Sequence, residues 1–440
     1  MKNGAGTYLG LDVGSSVCKG VLLDSDGNTL AVREEPVVWT TPAPGRVECG
    51  ASECVEPFRR VVRRLSAEAE YVNRPVTAIT VSGAAGSTLS VASDGAPGTV
   101  ISWLDARSAG NPPASLAGLT SSELRKITGW PCLDSFPLAQ LAWRREHEPE
   151  ALERAAWVGL NTDYMQYLLS GRHAMDFSTA TTMHLVDQVR RDYSDALLER
   201  AGVRRDQLSE LVDSGVPVGK VTERAAIEFG LSESCLVVSG AFDHPTAARA
   251  ADVLEPGELL LSCGTSFVGF LPVADRETVM ADPALLCDPF LSHEGGAWGA
   301  IFSSTALGRR IDSLVLRFLA GEGEPNPFRL FDELAVAAKK RGCSTVIDPS
   351  LDYDAPPVAD REELALGIML GAANLLADRI NSLRAAGMEL RRGKLAGGIC
   401  RSPIFPGLIA GATGLELEPL DGNAGARGAA LLAKKGALSK

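Results

Sequence analysis

The sequence predicts an α/β protein of two domains, each opening on an antiparallel strand meander. The chain has 440 residues, more than one ordinary core holds. Two stretches repeat one pattern, a β-run into a Gly-Ser/Thr-Ser corner and straight on into a second β-run. The first is Tyr8–Asp24, with its corner at Gly14-Ser15-Ser16; the second is Glu258–Leu271, with its corner at Gly264-Thr265-Ser266. The order in the first half is several antiparallel strands, then a helix, then a strand, which is not the strand–helix alternation of a doubly wound sheet.

The elements follow in order. Strands are predicted near Thr7–Val13 and Val17–Leu23, then, past an Asp26-Gly27-Asn28 turn, toward Val38. Helical spacing runs from Ser52 to Ala69, with Val55, Phe58, Val61, Val62 and Leu65 on one face. Pro75–Ser82 reads as a strand ending at Gly83. The middle third, Ser121–Leu211, is mainly helical, with patterns at Pro137–Glu146, Asp163–Leu169 and Ser194–Ala201. Leu236–Gly240 is a buried strand that delivers Asp243, and Pro245 suits the first position of a helix. A boundary near Asp252–Pro256 gives domains of 1–252 and 253–440, and the second half repeats the theme of the first. Gly321–Pro327 reads as a surface loop.

Composition narrows the function. Hydrophobic residues at 45% and charged residues at 22% describe a globular chain. A net charge of −12 argues against a nucleic-acid binder and against a protein of anionic membrane surfaces. It does not argue against a nucleotide, which backbone amides, a lysine and a metal ion neutralise locally. Nine cysteines lie singly, without a Cys-x-x-Cys, and no apolar leader precedes the first strand; a reducing cytoplasm is expected. Leu364–Ala377 is too short to span a bilayer and reads as a buried helix. The expected partner is a small molecule, with no nucleic acid and no membrane; a homodimer stays open.

Phosphoryl transfer needs an anion cradle, a cation and a base aligned with the nucleophile. A Gly-Ser/Thr-Ser corner turns backbone N–H groups and hydroxyls toward an anion, although an ordinary hairpin turn uses the same residues. Asp243, at a strand end, is either a proton acceptor or a helix cap followed by proline. Its neighbour His244 reads as a supporting residue. Asp12 suits a Mg²⁺ ion shared with phosphates, or caps the turn. Lys19 could reach a terminal phosphate, or is an exposed strand lysine. Trp103, Asp105 and Arg107 alternate, so an extended backbone would turn all three to one side as a polyol-binding wall; the alternative is an amphipathic edge with an internal Asp–Arg pair. Gly397-Gly398, between a strand and a helix, can lie flat against an adenosine or simply make a turn.

Taken in order, these segments resemble the FGGY family of carbohydrate kinases, and its xylulokinase-like members most. The matching residues are Asp12-x-Gly14-Ser15-Ser16 with Lys19, Trp103-x-Asp105-x-Arg107, Thr162-Asp163-Tyr164, Gly240-x-x-Asp243, Gly264-Thr265-Ser266, Gly397-Gly398 with Ser402-Pro403, and Ala424–Ala430. The likeness runs from about Thr7 to Lys434. It implies two actin-like domains with ribonuclease-H-type cores and a catalytic cleft between them, ATP and Mg²⁺ as cofactors, and a sugar held mainly by the N-terminal domain. It further implies Asp243 as general base and substrate ligand, with Asp12 and Asp243 at the metal. Trp103, Asp105 and Arg107 become sugar residues. Gly14, Ser15, Ser16, Lys19, Gly264, Thr265, Ser266, Gly397, Gly398 and Ser402 become nucleotide residues.

The departures lie where substrate is chosen. Ser82-Gly83-Ala84-Ala85-Gly86-Ser87 stands where relatives carry Gln-Met-His after Ser-Gly, Val47-Glu48-Cys49-Gly50 replaces a Glu-Gln-Asp element, and His244 replaces an asparagine. Without those groups a ketopentose would keep unpaired hydroxyls, so D-xylulose is not a safe assignment. The expected activity is ATP-dependent phosphorylation of a small sugar, polyol or bulkier sugar-like metabolite. The competing class is a non-catalytic sugar or nucleotide sensor on the same fold. An actin-like ATPase of the chaperone kind lacks support, because no peptide-binding region follows.

Overall fold

The computed structural model describes residues 6–84, 86–110, 112–264, 266–304, 306–321, 323–420 and 422–439. The chain divides into two compact units: Met1–Ala250 with Leu286–Gly296 and Asn423–Lys440, and Ala251–Leu285 with Ala297–Gly422.

In the first unit β1 (Thr7–Val13), β2 (Val17–Leu23) and β3 (Thr29–Pro36) form the meander. Helix α1 (Ala51–Tyr71) begins where the Glu53 carboxylate accepts the Gly50 N–H at 3.2 Å. β4 (Val76–Gly83) then lies parallel to β1, and β5 (Pro217–Lys220) and β6 (Leu236–Val238) complete the order β5-β6-β4-β1-β2-β3. Strand alternation sorts the two faces. Leu9, Leu11 and Val13 enter the core with Phe58, Val61 and Leu65 of α1, each such buried side chain being worth about 1.5–3 kcal/mol. Tyr8, Gly10 and Asp12 belong to the other face. Helix α2 (Asp243–Ala250) starts just past β6, two residues earlier than its proline suggests.

A separate small antiparallel sheet has the order Glu48–Gly50, Thr99–Ile101, Thr88–Ala92, Ala155–Leu160; its first strand precedes α1 and the other three come between β4 and β5 in the chain. Helices Pro137–His147, Asn161–Ser170 and Asp195–Ala201 stand where the periodicity puts them.

The second unit has β7 (Glu258–Cys263), β8 (Phe267–Val273) and β9 (Trp298–Ser304) as an antiparallel set. Helix α3 (Arg361–Ala385) contains the apolar stretch Leu364–Ala377. After it come β10 (Arg392–Ala396), α4 (Phe405–Thr413) and β11 (Glu416–Pro419), with β10 parallel to both β7 and β11. The order β9-β8-β7-β10-β11 matches β3-β2-β1-β4-β6 strand for strand, so the repeat seen at the two corners extends to the topology.

The last helix, α5 (Ala424–Leu438), belongs to the first unit, which differs from the contiguous 253–440 domain that the sequence predicts. Its small residues explain this. A Cβ on Gly10 would lie 2.1 Å from the Ala430 nitrogen, and one on Gly428 would lie 1.9 Å from the Thr246 oxygen. Only bare backbone lets α5 approach both β1 and α2 so closely.

Candidate active site

The first corner, β1 and the start of α2 assemble the chemistry of the first unit. Asp12 stands opposite Lys19 across the β1–β2 pair. Gly425 of α5 covers it: a Cβ there would sit 2.3 Å from Asp12 Oδ2. The Gly14 N–H donates to Val17 O at 3.1 Å, and the Ser15 carbonyl accepts the Trp39 indole N–H at 2.6 Å. Among the described residues neither the Ser15 nor the Ser16 hydroxyl has a protein partner.

Strand-end contacts fix Asp243. Gly83 bridges Phe242, and the Ser82 hydroxyl donates to Ala241 O at 2.6 Å. The Phe242 N–H donates to Ser178 Oγ at 3.2 Å, and that hydroxyl donates to Asp288 Oδ2 at 2.7 Å. The side chain of Asp243 is 27% exposed, and among the described residues its hydrogen bond comes from the His244 N–H at 2.7 Å. That bond is to its own neighbour rather than to an amide one turn on, so the capping alternative loses its geometry. Burial raises the Asp243 carboxyl to about 7. Burial, then the neighbouring Asp243 charge, raises Asp12 to about 7, against the pull of Lys19. Burial lowers His244 to about 4, so it is neutral at pH 7, with Nε2 3.7 Å from Asp243 Oδ1.

Two half-buried carboxylates with raised proton affinity, Asp12 held up in part by the Asp243 charge, are what a divalent cation relieves, and Mg²⁺ takes one or two carboxylates plus phosphates. The pair fits that ion. Among the described residues no larger cluster of acidic, His or Cys groups offers a metal site.

Trp103, Asp105 and Arg107 differ from the expectation. Residues 103–104 form a turn, not an extended strand. Asp105 is fully buried and accepts the Val47 N–H at 2.6 Å, the Arg107 N–H at 2.9 Å and Arg107 Nε at 2.8 Å. Arg107 is paired with Glu48 as well and lies over the Trp143 ring. Short-range turn formation overrode the alternation, and the internal Asp–Arg pair is what forms. Asp105→Ala would leave the buried Arg107 guanidinium with Glu48 alone and the Val47 N–H without its acceptor, so we expect a loss of about 3 kcal/mol in denaturant unfolding. Unchanged stability would return Asp105 to a ligand role.

In the second unit β7 and β10 bring two predicted segments side by side, with Ser262 paired to Ala396. Gly397 has φ +105, and a Cβ on it would lie 2.2 Å from Cys263 O, so glycine is required. Gly398 and Gly264 face open space, with nothing within 4 Å of a built Cβ. Ser266 Oγ accepts the Ala306 N–H at 3.3 Å; Thr265, like Ala85 of the first unit, lies outside the described residues. Ser402 is engaged within the protein, donating to Asp332 at 2.5 Å and accepting the Phe405 N–H.

Asp288, Ser178 and Arg249 were not singled out from the sequence. Arg249 donates to Pro245 O at 3.2 Å and Phe290 O at 3.1 Å, tying α2 to the 286–296 segment. No local pattern marks contacts between residues 110 positions apart, such as Ser178 and Asp288.

A strand-end carboxylate pair on a twice-repeated β-meander core is the arrangement of an actin-like phosphotransferase. The profile of the FGGY family of carbohydrate kinases, N-terminal domain, matches residues 7–249, and the chain belongs to that family. Xylulose kinase of Escherichia coli K12 is 24% identical over 93% of this chain and 86% of its own. Autoinducer-2 kinase of Salmonella choleraesuis is 27% identical over 59% of this chain and 50% of its own. Xylulose kinase of Rhodospirillum rubrum superposes with a TM-score of 0.85 at 23% identity, over 98% of this chain and 92% of that one, a likeness that carries the two-domain α/β actin-like fold. The protein is therefore a carbohydrate kinase, and the family implies ATP as phosphoryl donor. No helix among the described residues is long and apolar enough to cross a membrane.

Proposed function

We propose that the enzyme transfers the γ-phosphoryl group of ATP to a hydroxyl of a small carbohydrate, with Asp243 as general base. The observation that carries this is the Asp243 carboxyl, held at the start of α2 and raised by burial to about 7, where a base works best at neutral pH. Asp243 takes the hydroxyl proton as the oxygen attacks phosphorus. Asp12 and Asp243 would hold Mg²⁺ with the nucleotide phosphates, and the ion would supply charge neutralisation. Lys19, opposite Asp12, adds a fixed positive charge.

Gly14, Ser15 and Ser16 in the first unit, and Gly264, Ser266, Gly397 and Gly398 in the second, are assigned to the nucleotide, with Thr265 following by sequence. The relatives named for xylulose and autoinducer-2 support a sugar-like acceptor without fixing which one. The nine free cysteines suit a reducing cytoplasm.

Purified protein with ATP and Mg²⁺, offered ketoses, aldoses, polyols and sugar acids with ADP release as readout, tests the assignment; no acceptor-dependent ADP release from any of them would favour the sensor. Gly264→Val fills open space rather than clashing with protein, so the variant should fold. Calorimetry should show weakened ATP affinity with carbohydrate affinity nearly intact. Unchanged ATP affinity would remove the second corner from the nucleotide site.

A further inference from the structure

A run of aromatic rings leads from Gly86, in the loop whose sequence departs from xylulokinase-like relatives, to Asp243. A Cβ on Gly86 would lie 3.0 Å from Trp103 Cβ and 3.6 Å from the Phe136 ring. Phe136 stacks on His184, centroids 5.3 Å apart and planes at 12°. Trp130 stands against His184 at 5.9 Å and against Phe242 at 5.8 Å, and Phe242 precedes Asp243. Trp103 and Phe136 keep part of their surface exposed, so the cluster reaches solvent.

His184 Nε2, in this cluster, and Trp103 Nε1, on the residue beside Gly86, are buried, and neither has a hydrogen-bond partner among the described residues. Leaving such atoms unpaired costs their full desolvation, so they call for a partner that the described residues do not supply. His184 is 1% exposed, and burial lowers it to about 3, so its ring is neutral. Its backbone has φ 58, a conformation histidine tolerates better than most residues. Neighbouring polar side chains are already engaged. Gln140 donates to Ser102 O at 2.9 Å and Ser135 O at 2.7 Å, and Ser178 donates to Asp288.

We infer, building on the kinase reading above, that this wall selects a carbohydrate with few hydroxyls and an apolar face, a deoxygenated or alkyl-bearing sugar or polyol. Trp103 Nε1 and His184 Nε2 bind its oxygens and the aromatic rings cover its C–H face. A fully hydroxylated ketopentose would press unpaired hydroxyls against rings, whereas a methyl group there buries apolar surface. A site rich in aromatic area with a few placed polar atoms discriminates on this basis.

The test compares matched pairs: D-xylulose with 1-deoxy-D-xylulose, and L-galactose with L-fucose. Turnover is followed by ADP release, and binding by calorimetry with a non-hydrolysable ATP analogue. The deoxy member should be preferred at least about tenfold in one pair. Trp103→Phe keeps the ring and loses the N–H; His184→Asn suits the left-handed backbone but is too short to replace the ring nitrogen. Each variant should weaken carbohydrate binding and narrow the preference while leaving ATP affinity unchanged.

Tighter binding of the parent sugars, binding of neither member, or an unaltered preference in both variants would overturn the inference. Deoxy-selective binding without turnover would leave it standing and count instead against Asp243 as base. Turnover favouring the hydroxylated parents would do the reverse.

Discussion

Asp243→Asn should lower kcat by at least about a hundredfold while ATP and carbohydrate still bind, because general-base loss typically costs about 10²–10⁴-fold. Asparagine keeps the side-chain shape and the oxygen that accepts the His244 N–H, so the helix start is preserved. What it loses is the proton acceptor. Near-normal turnover on the true substrate would remove Asp243 as base.

The same variant carries a signature in stability. In metal-free protein the Asp243 carboxyl is raised from 3.8 to about 7. The folded state therefore binds this proton more tightly than the unfolded chain does. The stability it contributes is fully present below about pH 4 and is lost as pH rises through about 7. The amide of the Asp243→Asn variant does not titrate, so it loses nothing over that window. With EDTA at pH 8 the variant should melt at least about 2 °C above wild type, and the two should converge toward pH 4. A base lost by general misfolding would lower the melting temperature at every pH, so thermal scans at two pH values separate the explanations.

The sequence carried the parts of this design that are local. Leu9, Leu11 and Val13 alternate with Gly10 and Asp12, and Val55, Phe58, Val61, Val62 and Leu65 repeat at helical spacing, so strand, helix and facing are readable from a few residues. The corners are readable too, because Gly14 and Gly264 each stand in the short turn between two strands. Trp103-x-Asp105-x-Arg107 shows the opposite. Its alternation is real, but Asp105 finds Val47 and Arg107 and closes a turn, and a partner about 60 residues away cannot be seen in a local window. The aromatic wall was hidden likewise, since Trp130, Phe136 and His184 meet only after the inserted helices pack. The allegiance of α5 was legible in principle, because a helix beginning Ala-Gly-Ala-Arg-Gly-Ala-Ala needs a partner whose backbone comes very close. The bare site on β1 that answers it, Gly10, is identified only by the fold.

Gly425→Ala tests whether that close approach serves the chemistry. The new methyl would lie 2.3 Å from Asp12 Oδ2 and 2.7 Å from Asp12 Cγ, so something must yield by about 1 Å. The yielding part is the end of a short side chain, which swings at small cost in stability. Displacing a catalytic group by about 1 Å can cost about 10²-fold in rate, and we expect a loss of that order in kcat, together with a higher Mg²⁺ concentration for half-maximal turnover. The melting temperature should stay near wild type. Gly10→Ala is the contrast, because its methyl meets the Ala430 nitrogen at 2.1 Å and the Ala426 oxygen at 2.2 Å, backbone that cannot swing aside. That variant should lose stability first and activity only as a consequence. If Gly425→Ala instead keeps its rate and Mg²⁺ dependence, Asp12 tolerates displacement, and its place at the end of β1 is that of a turn residue rather than of a metal ligand.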